Sequence, residues 1–252
     1  MATDILLTNS YYLSYESMPG AKGQPYPPLG ILYLAAYLRK NSHYSIDIFD
    51  PTFSNGLDDF RRVLNEKNPV VVGIQSVITT RIVAQKMIKI AHDSGARVVV
   101  GGPDPSSCYI DYLQWGADIV VIGEGEYTLY ELLPVLLKLP SNMAELAKIS
   151  GLAYHQDLNG EMKVNITTAR PPVINLDEIP YPAYDMIDIP QYLDAWKAYN
   201  GYSSMHIATS RGCPYQCVWC SHTVFGSTYR QRSVENVVGE MKYLSEIYHP
   251  DH

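Results

Sequence analysis

From the start of the chain to about Leu139, short runs of β-branched residues alternate with longer segments in which apolar positions recur every three or four residues. That alternation is the signature of a parallel sheet wrapped by helices. Strands are predicted over Ile5 to Asn9, Ser45 to Asp50, Val70 to Gln75, Arg97 to Gly102 and Ile119 to Gly123. The last three are almost unbroken apolar runs, as expected of strands buried on both faces. Helical spacing covers Leu29 to Asn41, Asp58 to Glu66, Thr79 to Ser94, Ser107 to Trp115 and Glu126 to Lys138. Pro27-Pro28 stands where a first helical turn tolerates proline, and Gly95 follows a helix end. Pro134 inside the last segment predicts a kink or a shorter helix. In open sheets of this α/β class ligands bind beyond the carboxyl ends of the strands, so the loops after each strand are the places to look for chemistry.

After Pro140 the pattern changes. Gly151 to Tyr154 and Glu161 to Ile166 flank Asn159-Gly160, a strong hairpin signal. The stretch from Pro171-Pro172 through Ile179-Pro180-Tyr181-Pro182 to Ile189-Pro190 is too rich in proline for regular structure and predicts a linker draped over a surface. A new strand is expected near Ser204, running through Met205 to Ser210 into a cysteine-rich loop, and Val234 to Ile247 again has helical spacing. The expected organisation is a domain over 1–140, a hairpin and linker over 141–199, and the beginning of another domain over 200–252.

Composition narrows this picture in three ways. A net charge of −7 without any basic block gives phosphates nothing to bind, so no nucleic-acid partner is expected. No apolar run reaches the roughly 18 residues of a membrane span, and no basic stretch precedes an apolar one at the N-terminus, which predicts a cytoplasmic protein. Three of the four cysteines fall within eight positions, a spacing that suits metal rather than a disulfide framework.

Those cysteines read Cys213-Pro214-Tyr215-Gln216-Cys217-Val218-Trp219-Cys220. Three soft thiolates on one short loop can hold three irons of a cubane and leave the fourth without a protein ligand. The competing set is a zinc knuckle of Cys213, Cys217, Cys220 and His222. Structural zinc sites usually draw ligand pairs from two separated segments, which favours iron–sulfur. The C-x3-C-x2-C spacing with Trp219 before its last cysteine resembles the radical S-adenosylmethionine superfamily. The resemblance implies a 4Fe-4S cluster on Cys213, Cys217 and Cys220, with S-adenosylmethionine on the open iron and Trp219 beside the cofactor. It also implies reductive cleavage to a 5'-deoxyadenosyl radical, with the electron supplied by a donor such as flavodoxin or ferredoxin. Downstream, Tyr229-Arg230-Gln231-Arg232-Ser233 resembles the segment that follows the cluster loop in relatives; Arg230 and Arg232 either meet a carboxylate or are surface cations at a helix entry.

A five-stranded parallel domain ahead of that motif resembles the cobalamin-binding class of these enzymes. The resemblance implies a Rossmann-like, flavodoxin-like cobalamin domain followed by the start of a partial (βα) barrel. Its cofactor-binding candidates are Pro28 and Gly30 at the first helix, Gly101, Gly102, Pro103 and Asp104 after the fourth strand, and Gly123, Glu124, Gly125 and Glu126 after the fifth. Glycines there let backbone approach a bulky ligand. Glu124 and Glu126 either touch ligand or complement a helix N-terminus. Many cobalamin domains supply a histidine to cobalt from an Asp-x-His-x-x-Gly loop, but the region after the first strand, Ser10 to Tyr15, contains none. The lower cobalamin face would instead be covered from the loop after the third strand, by Ser76, Val77, Ile78 or Thr79.

An eight-unit barrel takes about 250 residues, and a six-unit one roughly three-quarters of that, whereas one strand–helix unit follows the cysteines. The chain therefore reads as an N-terminal portion, inactive alone. The function implied for the whole enzyme is methylation of an unactivated carbon of a small-molecule substrate. An anaerobic oxidative cyclase of the magnesium-protoporphyrin ester type is the alternative within the class, and a non-catalytic corrinoid-binding or zinc-stabilised fragment the alternative outside it. A methylthiotransferase is disfavoured, because its N-terminal domain carries its own cluster cysteines and only Cys108 is present here. Anaerobic reconstitution with iron and sulfide is expected to give a brown protein with broad absorption near 400 nm, an order-of-magnitude position for thiolate-to-iron charge transfer. A colourless protein holding one zinc would decide for the knuckle.

Overall fold

The computed structural model describes residues 3–16, 24–138, 143–158 and 161–252. Five parallel strands form where the apolar runs predict them: β1 (Ile5–Asn9), β2 (Ile46–Phe49), β3 (Val71–Gln75), β4 (Arg97–Gly101) and β5 (Ile119–Val121). Their order is β2-β1-β3-β4-β5, with Ile5 beside both Ile46 and Val71, Val71 beside Arg97, and Val99 beside Ile119. Alternate side chains point to opposite faces. Leu7, Val71, Val99 and Ile119 enter one core with α1 (Leu29–Asn41) and α6 (Glu126–Leu137). Leu6, Val72, Val98 and Val120 enter another with α2 (Leu57–Lys67), α3 (Arg81–Asp93) and α5 (Tyr109–Gln114). The fully buried apolar runs that marked β3 to β5 are thus explained by helices on both sides. Pro134 lies inside α6 without ending it.

The helical segment predicted from Thr79 begins instead with a 3-10 turn over Ile78–Thr80, ahead of α3. That predicted from Ser107 is divided into α4 (Pro103–Ser107) and α5, joined at Cys108. Residue 140, the expected domain boundary, lies outside the described residues, and α7 (Met143–Leu146) follows it.

The hairpin does not stand apart from the sheet. Strands β6 (Leu152–Leu158) and β7 (Glu161–Ile166) continue it antiparallel beyond β5, giving seven strands. Ile119, Val120 and Val121 pair with Tyr154, Ala153 and Leu152. The Asn159-Gly160 turn lies outside the described residues.

The proline-rich stretch contains a helix that its prolines concealed, α8 (Ile189–Asn200). Pro190 occupies the first turn, where its missing N–H is harmless, the Asp188 carboxylate accepts from the Gln191 N–H, and Gly201 closes the helix at φ 81°. Ahead of α8, Val173, Leu176 and Ile179 pack on Tyr33 and Tyr37 of α1. The chain holds 21 tyrosines against 4 phenylalanines, and two of them act here: the Tyr192 hydroxyl donates to Asp50 (2.6 Å) and Tyr184 to Glu240 (2.8 Å). Each buries a ring while its hydroxyl keeps a partner.

The strand expected from Ser204 is shorter than its apolar pattern suggests. Between residues 204 and 231 ladder pairing is confined to β8 (Ser210–Arg211) against β9 (Arg230–Gln231), antiparallel. The final helix, α9 (Val234–Tyr248), is capped by Ser233, whose side chain accepts from the Asn236 N–H. Among the described residues no helix is long and apolar enough to cross a membrane.

His206 packs edge-on against Tyr26 at 4.6 Å, and its Nδ1 is buried without a partner. Burial lowers its pKa from 6.5 to about 4. The native state then binds fewer protons than the unfolded chain between those values, so this contribution is intact above pH 6.5 and is lost as pH falls toward 4. Urea midpoints are expected to decline across that window, and His206→Leu to decline less steeply; identical pH dependence in both proteins would contradict this.

Candidate functional site

Beyond the carboxyl ends of β1, β3, β4 and β5 lies an apolar cavity of about 450 Å³. One wall is the sheet edge with α1: Leu7, Gly73, Val99, Val121, Gly30 and Leu34. The opposite wall is the loop between β8 and β9, through Gly212, Cys213, Cys220, His222 and Phe225. Residues that the chain separates widely thus face one space. Of the residues singled out from the sequence, Gly30, Gly101, Gly102, Pro103, Gly123, Glu124, Gly125 and Glu126 line it together with Cys213 and Cys220. Pro28 and Val77 instead line a neighbouring cavity of about 200 Å³, which also touches Asn9, Tyr26 and Thr80. Ser76 lies buried behind the rim, Thr79 is exposed on the turn after β3, and Trp219 and Cys217 lie on the outer side of the loop.

The rim glycines do two different jobs. At Gly30 a Cβ would fall 2.6 Å from Gln75 Oε1, at Gly102 2.5 Å from the Ser76 carbonyl oxygen, and at Gly125 2.9 Å from Leu34. Those three make room for the protein's own neighbours, and Gly102 also has a φ of 111°. At Gly101 and Gly123 a Cβ would meet nothing closer than 3.7 Å, so of these five they leave the most open backbone toward the cavity.

Glu126 stands in the first turn of α6, and Glu124 and Glu126 both border the cavity. Both are buried and ion-paired with arginines that flank the cysteine loop. Arg211 Nη1 donates to Glu124 Oε2 (3.1 Å) and Nη2 to Glu126 Oε1 (2.5 Å). Arg230 Nη1 donates to Glu124 Oε1 (2.5 Å) and to the Val173 carbonyl (2.6 Å), and Nη2 to the Phe225 carbonyl (2.8 Å). The Arg211 guanidinium is also sandwiched by Tyr33 (5.3 Å) and Phe225 (5.1 Å). Burial alone would weaken its charge, but Glu126 and Glu124 more than offset that, and its pKa lies above the ordinary value. Arg232 pairs with the fully buried Glu240. Both downstream arginines therefore meet carboxylates and neither is a surface cation.

Asp104 is committed elsewhere: Arg81 Nε and the Tyr112 hydroxyl donate to its Oδ2 at 2.8 and 2.7 Å, and that hydroxyl is 3.0 Å from Ser76 Oγ. The residue that sequence inspection missed is Gln75. It borders both cavities, and its Oε1 is buried with no hydrogen-bond partner among the described residues. Its only signal was its position, a polar residue ending an apolar strand.

Cys213, Cys217 and Cys220 share one loop, but among the described residues no three His, Cys, Asp or Glu side chains converge as a ready metal set. The fit to a cluster rests on donor chemistry: three free thiols on one loop, two of them exposed, with Cys213 and Cys220 bordering the cavity. His222 is at φ 49° with Nε2 buried and unpartnered, so it remains available to the zinc alternative.

Residues 21–133 match the B12 binding domain family. An uncharacterized methyltransferase of Pyrococcus horikoshii is 35% identical over 232 residues, covering 88% of this chain and 46% of that protein. An anaerobic magnesium-protoporphyrin IX monomethyl ester cyclase of Rubrivivax gelatinosus is 28% identical over 231 residues, covering 87% of this chain and 39% of its own length. The solved structure of OxsB, a cobalamin-dependent S-adenosylmethionine radical enzyme with aqua-cobalamin and S-adenosylmethionine bound, superposes with a TM-score of 0.74 at 21% identity. That match covers 96% of this chain and 31% of OxsB and shows a shared fold. The chain spans less than half the length of each of these relatives.

Glu124→Ala leaves Arg230 with carbonyl partners only and Arg211 with one carboxylate. Breaking a buried pair in this way is expected to destabilise the chain by about 3 kcal/mol or more, read from denaturant unfolding; a loss below about 1 kcal/mol, the range of exposed pairs, would contradict the clamp.

Proposed function

We propose that this chain, a relative of the cobalamin-binding radical S-adenosylmethionine enzymes, forms the cofactor-holding part of an enzyme that methylates an unactivated carbon. The observation that carries the reading is the single cavity bounded on one side by the B12-binding sheet edge and on the other by the three-cysteine loop. A space of about 450 Å³ with apolar walls and open backbone at Gly101 and Gly123 suits part of a corrinoid, its nucleotide tail or peripheral side chains, rather than its whole macrocycle. With no histidine from Ser10 to Tyr15, the lower face would be covered by the turn Ser76–Thr79. Cys213, Cys217 and Cys220 would hold the 4Fe-4S cluster, and Trp219, exposed on that loop, would flank S-adenosylmethionine.

When bound, cobalamin supplies a methyl carrier, and the cluster with S-adenosylmethionine supplies a radical that abstracts hydrogen. This chain's own residues do the positioning. Glu124 and Glu126 hold Arg211 and Arg230, and these fix both ends of the cysteine loop against the sheet. Leu7, Val99, Val121 and Phe225 keep the interior apolar and limit water. The electron would come from a flavodoxin or ferredoxin in the cytoplasm. Oxidative cyclisation is the second reading, favoured by the similarity to the magnesium-protoporphyrin ester cyclase. A gain of one methylene unit in the product of the whole enzyme indicates methylation, and its absence together with ring closure indicates cyclisation.

Hydroxocobalamin added to the purified chain is expected to survive desalting with a retained corrinoid spectrum. Gly101→Leu, which fills the open backbone position, should abolish that retention while far-UV circular dichroism stays unchanged. A wild-type chain that retains none removes the cobalamin half of the proposal.

A further inference from the structure

Gln75 ends β3, and its side chain lies in the wall common to both cavities. Its Oε1 is buried with no hydrogen-bond partner among the described residues. Polar side chains that share its cavities are engaged elsewhere: Ser10 with Thr80, Asn9 Oδ1 with the Tyr11 N–H, Thr52 with Asp50 and Tyr192, and Glu124 with Arg211 and Arg230. Gly30 presses against the amide so closely that a Cβ there would fall 2.6 Å from Oε1 and 2.7 Å from Nε2. On the other side Gly102 would place a Cβ 3.4 Å from Gln75 Cγ. The amide is held between two glycines, and neither offers a side chain to satisfy it.

A buried amide oxygen without a donor destabilises a fold, and a methionine of similar length would fill the same space without that penalty. Packing therefore accounts for the size of this residue but not for its polarity. A carboxamide fixed in place with an open acceptor suits one partner above others, a second primary carboxamide. Its N–H would donate to Oε1 while its own oxygen accepts from Nε2.

We propose that Gln75 recognises a primary carboxamide of the bound ligand and makes the site selective for amidated over carboxylated corrinoids. This rests on the corrinoid reading of the cavity, since the corrin periphery carries such amides. A carboxylate in the same place would face Oε1 with a second acceptor and no donor, which turns an attraction into a repulsion. Selectivity of this kind comes from leaving the wrong ligand unpaired.

The test titrates the full chain and Gln75→Met with hydroxocobalamin and with its separated monocarboxylic acid derivatives, each lacking one amide. Wild type is expected to bind at least one derivative roughly ten-fold more weakly than hydroxocobalamin, the effect of one buried hydrogen bond. Gln75→Met should bind hydroxocobalamin roughly ten-fold more weakly than wild type does, and should not distinguish it from that derivative. Without ligand, Gln75→Met should melt at or above the wild-type temperature, because it loses no internal hydrogen bond. Unchanged affinity, or discrimination retained in Gln75→Met, overturns the proposal while leaving the cobalamin reading intact. A variant that melts well below wild type, or fails to fold, assigns the glutamine a structural role and overturns it as well. If wild type retains no corrinoid, the functional reading falls first and this inference with it.

Discussion

The arrangement depends on one buried electrostatic network. Glu124 sits between Arg211 and Arg230, Glu126 gives Arg211 a second carboxylate, and all four side chains are almost wholly buried. Charges taken out of water need pairing, and here two carboxylates face two guanidiniums while the Val173 and Phe225 carbonyls accept from Arg230. The network joins the loop after β5 to both flanks of the cysteine loop, so the position of the thiols is referred to the parallel sheet. Without it the cavity would have one wall. A hydrophobic contact of the same area would hold the two parts together but would not fix their register, since apolar contact is not directional.

A second set of contacts supports the first. The segment from Val173 to Tyr184 crosses α1, where Val173, Leu176 and Ile179 meet Tyr33 and Tyr37. It ends under α9, with Tyr184 bonded to Glu240. Glu240 in turn holds Arg232, next to β9. The proline-rich chain is thus a strap between the sheet's helical layer and the element after the cysteine loop. Prolines suit it because an extended strap needs few backbone donors, and tyrosines suit it because each closes a buried surface with a hydroxyl that still finds a partner.

Much of the fold was legible because periodicity is a local property. The five parallel strands and α1 fall where the apolar pattern places them, most plainly β3 to β5, which are covered on both faces and whose sequences say so. What was not legible depends on distant partners. That Leu152 to Ile166 would extend the same sheet follows from an edge left open at β5, which no window along the chain contains. Helix α8 was hidden because Pro190 reads as a breaker until its place in the first turn is known. At the site, the glycines and cysteines announced themselves through composition and spacing. The pairing of Glu124 with arginines 87 and 106 positions away did not, nor did the unsatisfied amide of Gln75, because both are facts of proximity.

The distance along the chain between the two walls of the cavity also sets an order of assembly. The β2-β1-β3-β4-β5 edge is complete once residue 121 is in place, while Arg211 and Arg230 enter about a hundred residues later. At translation speeds of about 5–20 residues per second, that interval lasts some seconds to tens of seconds. During it the sheet edge stands finished and uncovered. A bulky molecule can therefore settle on it without any later opening of the loop, so that filling of the cavity is tied to synthesis of the chain as well as to its folded equilibrium.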